Sequence, residues 1–234
     1  KQELDCYYLM EKFIANRKNV TVCKGNLNAS HFVRFERISP FAGLVFEKYS
    51  LKIQNFYNKN RNLETFRRIT NQMMDVLNYL SNGLGDKSIV HRDLRPDNMM
   101  IDDKGDLKLI DFGVALIIEK GSVIPACSIN TNNYHLTPEE AFDLDYDITS
   151  DLWKAVTMLH DLKFNVDIIY PQNHSENNKI PSLNTLLRVC GKLPKDVKKA
   201  IVADARKLAR FDFAMNDYFK TRKGAGKSKR DILE

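Results

Sequence analysis

The sequence predicts an α+β fold, mostly helical, with its strands short and gathered in two places. Three observations predict it. Phe66, Ile69, Met73, Val76, Leu77 and Leu80 recur with the 3.6-residue period of an amphipathic helix over 63–80. Between Ser88 and Gly113, the apolar runs Ile89–Val90, Met99–Ile101 and Leu107–Ile110 alternate with polar clusters, as short strands joined by loops do. Phe32–Phe35 and Gly43–Glu47 bracket Ser39-Pro40-Phe41-Ala42, the pattern of an antiparallel hairpin.

The elements follow in order. Residues 3–14 carry Leu9, Met10, Phe13 and Ile14 at three- and four-residue steps, one face of a helix. Residues 17–30, rich in Asn and Lys, read as a loop before the hairpin. Leu51–Tyr57 is a short helical stretch, and the helix over 63–80 stops at Ser81-Asn82-Gly83. The stretch from Gly113 to Glu139, rich in Asn, Ser and Thr, is predicted as one long loop, a kind that is usually functional or mobile. Residues 152–162, 181–190 and 196–209 read as further helices, separated by a polar segment over 165–179.

Composition sets the bounds. With 43% apolar and 28% charged residues over 234 positions, the chain is an ordinary globular sequence of one large domain or two small ones. No apolar run approaches the roughly 18 residues of a membrane-crossing helix, and Lys1-Gln2-Glu3-Leu4-Asp5 has no signal-peptide character. Cys6, Cys23, Cys127 and Cys190 are widely spread, which argues against a zinc site or a disulfide framework and fits a reducing compartment, cytoplasmic or nuclear. Much of the net charge of +6 comes from the run Lys220–Arg230. Within it, Lys223-Gly224-Ala225-Gly226-Lys227-Ser228 falls short of a phosphate-binding loop, because Thr221 stands where glycine is required. The run reads as a solvated basic tail.

The chemistry concentrates in Ser88–Gly113. Asp93, Asn98 and Asp111 lie on its polar segments: a carboxylate, an amide and a second carboxylate. Hard oxygen ligands of this kind suit a magnesium ion that also holds phosphate oxygens.

His91-Arg92-Asp93-Leu94-Arg95-Pro96-Asp97-Asn98 resembles the catalytic loop of protein kinases, and Asp111-Phe112-Gly113 resembles their metal-binding triplet. Either motif alone is weak; in order and at the family's spacing they are specific. Thr137-Pro138-Glu139 is similar to the family's Ala-Pro-Glu, and Asp151-Leu152-Trp153 to the Asp-x-Trp that opens the large lobe's central helix.

The resemblance covers roughly residues 3–210 and implies a protein-kinase-like fold, with a mostly helical large lobe below a truncated small lobe. It implies boundaries of 1–49 for the small-lobe remnant, 50–215 for the large lobe and 216–234 for the tail. It implies serine/threonine kinase activity on protein substrates with ATP and Mg2+, and neither a membrane nor nucleic acid as partner. Asp93 would accept or orient the substrate hydroxyl's proton, and Asn98 and Asp111 would hold the metal. Arg95 would keep positive charge near the transferred group, as a planar fork where the family usually has Lys. Phe46 would lie behind the adenine, Glu47 to Tyr49 would form the hinge beside it, and Met100 would contact the nucleotide. Asp151 would brace the catalytic loop from a helix N-terminus. Pro96 favours the serine/threonine form of the loop. Residues 123–128, Tyr134, Tyr170-Pro171 and 183–194 are similar to the homeodomain-interacting and dual-specificity kinases.

The sequence departs from the family in several places. It contains no Gly-x-Gly-x-x-Gly and no Val-Ala-Ile-Lys strand before the first helix, so the phosphate-binding lysine is absent from it. Glu3 or Glu11 would be the glutamate that partners such a lysine, with Asp5 a possible substitute, and the sequence does not choose between them. Leu136 replaces an arginine that the homeodomain-interacting and related kinases carry, and Val156 stands where the family's central helix usually has glycine. An alternative is therefore a kinase-like binding module without catalysis. A nucleic-acid binder rests on the tail alone.

Overall fold

Asn62 opens the longest helix: its side chain accepts a hydrogen bond from the Thr65 N–H at 2.8 Å, the usual way an N-cap satisfies a free amide. The structure, a computed structural model, describes residues 2–15, 35–38, 44–46, 48–49, 51–126, 137–164, 193, 195–209 and 211. They form two compact units. The first holds 1–122 and 147–166 with 130–132, and the second holds 123–129, 133–146 and 167–234.

In the first unit the elements run α1 (Gln2–Ala15), β1 (Phe35–Ile38), β2 (Leu44–Phe46), β3 (Leu51–Lys52), α2 (Ile53–Lys59), α3 (Leu63–Asn82), β4 (Lys87–Val90), β5 (Met99–Ile101), β6 (Leu107–Leu109), β7 (Leu116–Glu119) and α5 (Thr149–Phe164). The second unit contributes α4 (Pro138–Ala141) and α6 (Lys195–Ala203). Among the described residues all strand pairs are antiparallel: β1 with β2, β4 with β7, and β5 between β3 and β6. The mixture of helices and short strands is the α+β fold expected.

The core of the first unit is built around α3. Ile69, Met73, Val76, Tyr79 and Leu80 are its buried residues, and they meet Ile89, Leu94, Met99, Leu107, Leu109 and Phe112 from the strands and Ala155, Met158 and Leu162 from α5. Phe66 and Leu77 pack against this core while partly exposed. The helix runs through Ser81 and Asn82, and Gly83 ends it by donating its N–H to the Tyr79 carbonyl at 2.7 Å. A Cβ at residue 83 would lie 2.4 Å from Tyr79 Cδ2, so this close turn requires glycine.

Several elements differ from expectation. The first hairpin strand is Phe35–Ile38, beyond the expected 32–35, and Phe35 stands opposite Phe46 with Ile38 opposite Leu44. The stretch expected to be helical from Leu51 starts as a strand, because Leu51 and Lys52 pair with Ile101 and Met100; the helix begins at Ile53. The predicted loop after Gly113 contains β7, whose run Leu116-Ile117-Ile118 pairs with Val90-Ile89-Ser88. The helix expected over 152–162 spans Thr149–Phe164, with Asp147 accepting from the Thr149 N–H at 2.8 Å. The helix expected over 196–209 breaks at Asp204, whose carboxylate instead takes the N–H groups of Arg206 and Lys207.

In the second unit Thr137 and Glu140 form a reciprocal capping box at the start of α4. Ile124 pairs with Tyr146, and Phe142, Leu193, Val197, Ile201 and Phe211 are buried. The loop over 17–30, the helix over 181–190, the subfamily-like residues from Cys127 to Tyr134 and at 170–171, and the basic tail lie outside the described residues.

Candidate active site

The β5–β6 hairpin brings the predicted residues to one end of a sheet. Met99 pairs with Leu109, and one step further the Ile110 N–H donates to the Asn98 carbonyl at 3.0 Å. Asp111 therefore follows directly on the residue opposite Asn98 at the hairpin's open end. Asp93 joins them through its side chain: Asn98 Nδ2 donates to Asp93 Oδ2 at 2.9 Å and to the Asp93 carbonyl at 2.8 Å. With Nδ2 committed to Asp93, the amide oxygen is the remaining polar atom of the Asn98 side chain.

His91 sits beneath this group. It is fully buried; its Nε2 lies 3.0 Å from the Ile110 carbonyl and its ring packs edge-on against Phe112 at 4.7 Å. Burial pushes the imidazole pKa below its ordinary value, although Asp151, Asp93 and Asp111 are all close enough to pull the other way. One buried ring thus feels both Asp93 and Asp111.

The loop backbone is held from α5. Asp151, in the first turn of α5 and 1% exposed, accepts from the His91 N–H at 2.6 Å and the Arg92 N–H at 2.9 Å. Burial raises the Asp151 carboxyl pKa, while His91, Lys154 and the two backbone donors oppose that shift. Arg92 has a left-handed backbone, φ 69°, a conformation that costs a non-glycine residue about 1–2 kcal/mol. Its Nε donates to the Val114 carbonyl at 2.6 Å and its own carbonyl accepts from Lys154 Nζ at 2.8 Å. Asp111 is left-handed as well, φ 62°, and its exposed carboxylate accepts from the Gly113 N–H.

The Glu11 side chain lies outside the described residues, whereas that of Glu3 is described. Burial and the nearby Asp111 charge raise the Glu3 pKa, against a hydrogen bond from the Phe112 main chain. Four residues on, Tyr7 packs edge-on against Phe112 at 5.2 Å. Burial pushes the Tyr7 hydroxyl pKa up, and Glu3 and Asp111 add to the shift. The Gln2 side chain also donates to the Ala115 carbonyl.

Arg95 lies beside the loop, where its Nη2 reaches Asp97 at 3.0 Å; Lys52 Nζ reaches the other oxygen of Asp97 at 2.6 Å. The two cations, Lys52 first, hold the Asp97 carboxyl below the usual range. Met100 is half-buried on β5, between Lys52 and Lys108 of the flanking strands. Tyr49 packs against the core with Lys108 Nζ 5.7 Å from its ring centre. Phe46 ends β2; its side chain, and all of Glu47, lie outside the described residues.

The donor set fits a magnesium ion: one amide oxygen and one carboxylate at a hairpin end, the remaining ligands being left to phosphate and water. Among the described residues no cluster of three His, Cys, Asp or Glu could hold a metal without such help.

Residues 31–218 match the family profile of the protein kinase domain. The chain belongs to the protein kinase domain family. Relatives carry serine/threonine kinase names. The chain is 37% identical over 93 residues to the serine/threonine-protein kinase sgk-1 of Caenorhabditis elegans, covering 40% of this chain and 20% of that protein. It is 30% identical over 112 residues to the serine/threonine-protein kinase STE7 homolog of Candida albicans, covering 47% and 18%. It is 36% identical over 91 residues to the mitogen-activated protein kinase kinase SIPKK of Nicotiana tabacum, covering 39% and 24%. The chain thus matches about a fifth of the length of these relatives. Among the described residues of this kinase-family chain, no helix is long and apolar enough to cross a membrane.

Proposed function

We propose that this chain is the catalytic region of a protein serine/threonine kinase, transferring the γ-phosphoryl group of ATP to protein hydroxyls with Mg2+. The observation that carries this is the Asn98–Asp93 contact at the end of the hairpin that also presents Asp111. Asn98 and Asp111 would hold magnesium, which when bound neutralises developing charge on the phosphates.

Asp93 orients the acceptor hydroxyl and takes its proton as the hydroxyl oxygen forms its bond to the γ-phosphorus. The bond from that phosphorus to the bridging oxygen breaks, and ADP leaves. Asn98 holds the Asp93 carboxylate in place. Arg95, steadied by Asp97, adds positive charge beside the loop, where charge stabilisation contributes most. Met100, Phe46 and the segment Glu47–Tyr49 are the proposed adenine contacts. The presence of Asp93, Asn98 and Asp111 together favours an enzyme over a kinase-like binding module, since binding alone does not require a base beside the metal ligands.

The test uses the protein, magnesium, labelled ATP and a general acceptor protein. Label transfer by the wild type that disappears in Asp93→Ala is the expected result; transfer that persists undiminished in the variant overturns the role of Asp93.

A further inference from the structure

Lys154 carries a charge where none is expected. It is 1% exposed and ranks among the largest fully buried side chains of the described residues, on the face of α5 that also buries Ala155, Met158 and Leu162. A buried ammonium is tolerated only where other groups replace its hydration. Here those groups belong to the candidate active site. Lys154 Nζ donates to the Arg92 carbonyl at 2.8 Å, and the Asp151 carboxylate lies within electrostatic reach one turn earlier on the same helix.

We propose that Lys154 is a positioning residue for phosphotransfer, clamping the Arg92 carbonyl and so fixing the peptide plane from which Asp93 projects. This rests on the function proposed above. The Arg92 carbonyl and the Asp93 N–H belong to one peptide unit, so holding the oxygen holds the amide. Asp151 grips the peptide on the other side of the same residue, through the Arg92 N–H at 2.9 Å. One turn of α5 therefore pins both peptide planes flanking Arg92, whose φ of 69° is unfavourable without outside support. Downstream, the Asp93 N–H lies 3.4 Å from His91 Nδ1 and the Asp93 carboxylate meets Asn98. If the Arg92–Asp93 peptide rotates, Asp93 loses this registration with Asn98.

Two variants of the full chain test the proposal. Lys154→Met keeps the length of the side chain without charge or donor; Lys154→Gln keeps a donor. For Lys154→Met the expected result is a fall in kcat of about tenfold or more, with the KM for ATP within about twofold, as when a catalytic group is displaced without loss of substrate binding. Deuterium uptake in 88–94 should speed up while uptake in 69–80 of α3 stays unchanged, and Lys154→Gln should lie between Met and wild type on both readouts. A purely structural lysine would instead lower the melting temperature and leave kcat per folded molecule intact, and that result overturns the proposal. If Lys154→Met does not fold, Lys154→Gln decides: wild-type kcat and wild-type uptake at 88–94 overturn it. Failure of both variants to fold also overturns it, by making Lys154 a requirement of the core alone. If the wild type transfers no label, the proposed function fails; the clamp then stands or falls on the exchange comparison at 88–94.

Discussion

Asn98 Nδ2 donates to two atoms of Asp93 at once, the carboxylate Oδ2 at 2.9 Å and the main-chain carbonyl at 2.8 Å. A single amide therefore holds both the backbone and the side chain of the proposed base. In Asn98→Ala the Asp93 carboxylate is released and one proposed metal ligand is lost. Activity should fall on the order of 100-fold or more, the scale on which small displacements of catalytic groups act. The magnesium concentration for half-maximal rate should rise as well. Steady-state kinetics over a magnesium titration measure both, and an unchanged magnesium dependence would remove Asn98 from the metal site.

Asp151 predicts a stability effect. Its two oxygens accept the His91 and Arg92 N–H groups in a fully buried setting. Asp151→Asn turns one acceptor into a donor that faces an N–H. Leaving such a group unpaired in the interior should cost about 3 kcal/mol. A lowered urea midpoint with an unchanged slope is the expected observation, and an unaltered midpoint would mean that the loop does not depend on this carboxylate.

His91 predicts a pH dependence. Burial holds its pKa below the ordinary value, against Asp151, Asp93 and Asp111. Below a pH of about 6.5 the unfolded chain takes up a proton on this residue that the folded chain refuses. Stability should therefore fall as the pH drops from 7 toward the folded-state pKa, by up to about 1.4 kcal/mol per pH unit for this group. Asp151, with its raised pKa, acts with the opposite sign, since the fold takes up its proton more readily than the unfolded chain does. The difference between wild type and His91→Phe isolates the histidine: the variant should lack this component between pH 7 and 5. Parallel curves for the two proteins would refute the assignment.

Glu3 places a second negative charge near Asp111. Glu3→Gln retains an acceptor for the Phe112 main chain and removes that charge. A cation held at Asp111 should then bind about two- to fivefold more weakly, the effect of one partly screened charge at short range. An unchanged cation affinity in Glu3→Gln would remove Glu3 from this role.

The parts of the fold legible in the sequence were those with a local cause. The 3.6-residue period of Phe66–Leu80 marked α3, and the apolar runs around Met99 and Leu107 marked β5 and β6. The roles of Asp93, Asn98 and Asp111 are proposals drawn from the motif resemblance, to which the structure adds the Asn98–Asp93 contact. Leu116-Ile117-Ile118 pairs with β4 as a strand; its apolar run is a local strand signal that the reading of 113–139 as one loop leaves out. What the sequence hid depends on pairing at a distance. Leu51 and Lys52 are extended because β5 takes them as an edge. Asp204 breaks a helix that periodicity alone would have continued, since its carboxylate caps the next turn. Lys154 was hidden for a further reason: periodicity places apolar residues in a core, and a lysine there becomes intelligible only once the Arg92 carbonyl and Asp151 are seen beside it.

The most direct test of the magnesium–triphosphate pocket is the melting temperature with and without millimolar Mg-ATP, in the wild type and in Asp111→Asn. Asparagine tolerates the left-handed backbone at this position and keeps an acceptor for Gly113, so the unliganded proteins should melt alike. A ligand at about 100 times its Kd stabilises a fold by about 2.7 kcal/mol. Wild-type protein should show a clear upward shift that Asp111→Asn largely loses. An equal shift in both proteins, or none in the wild type, would contradict the account.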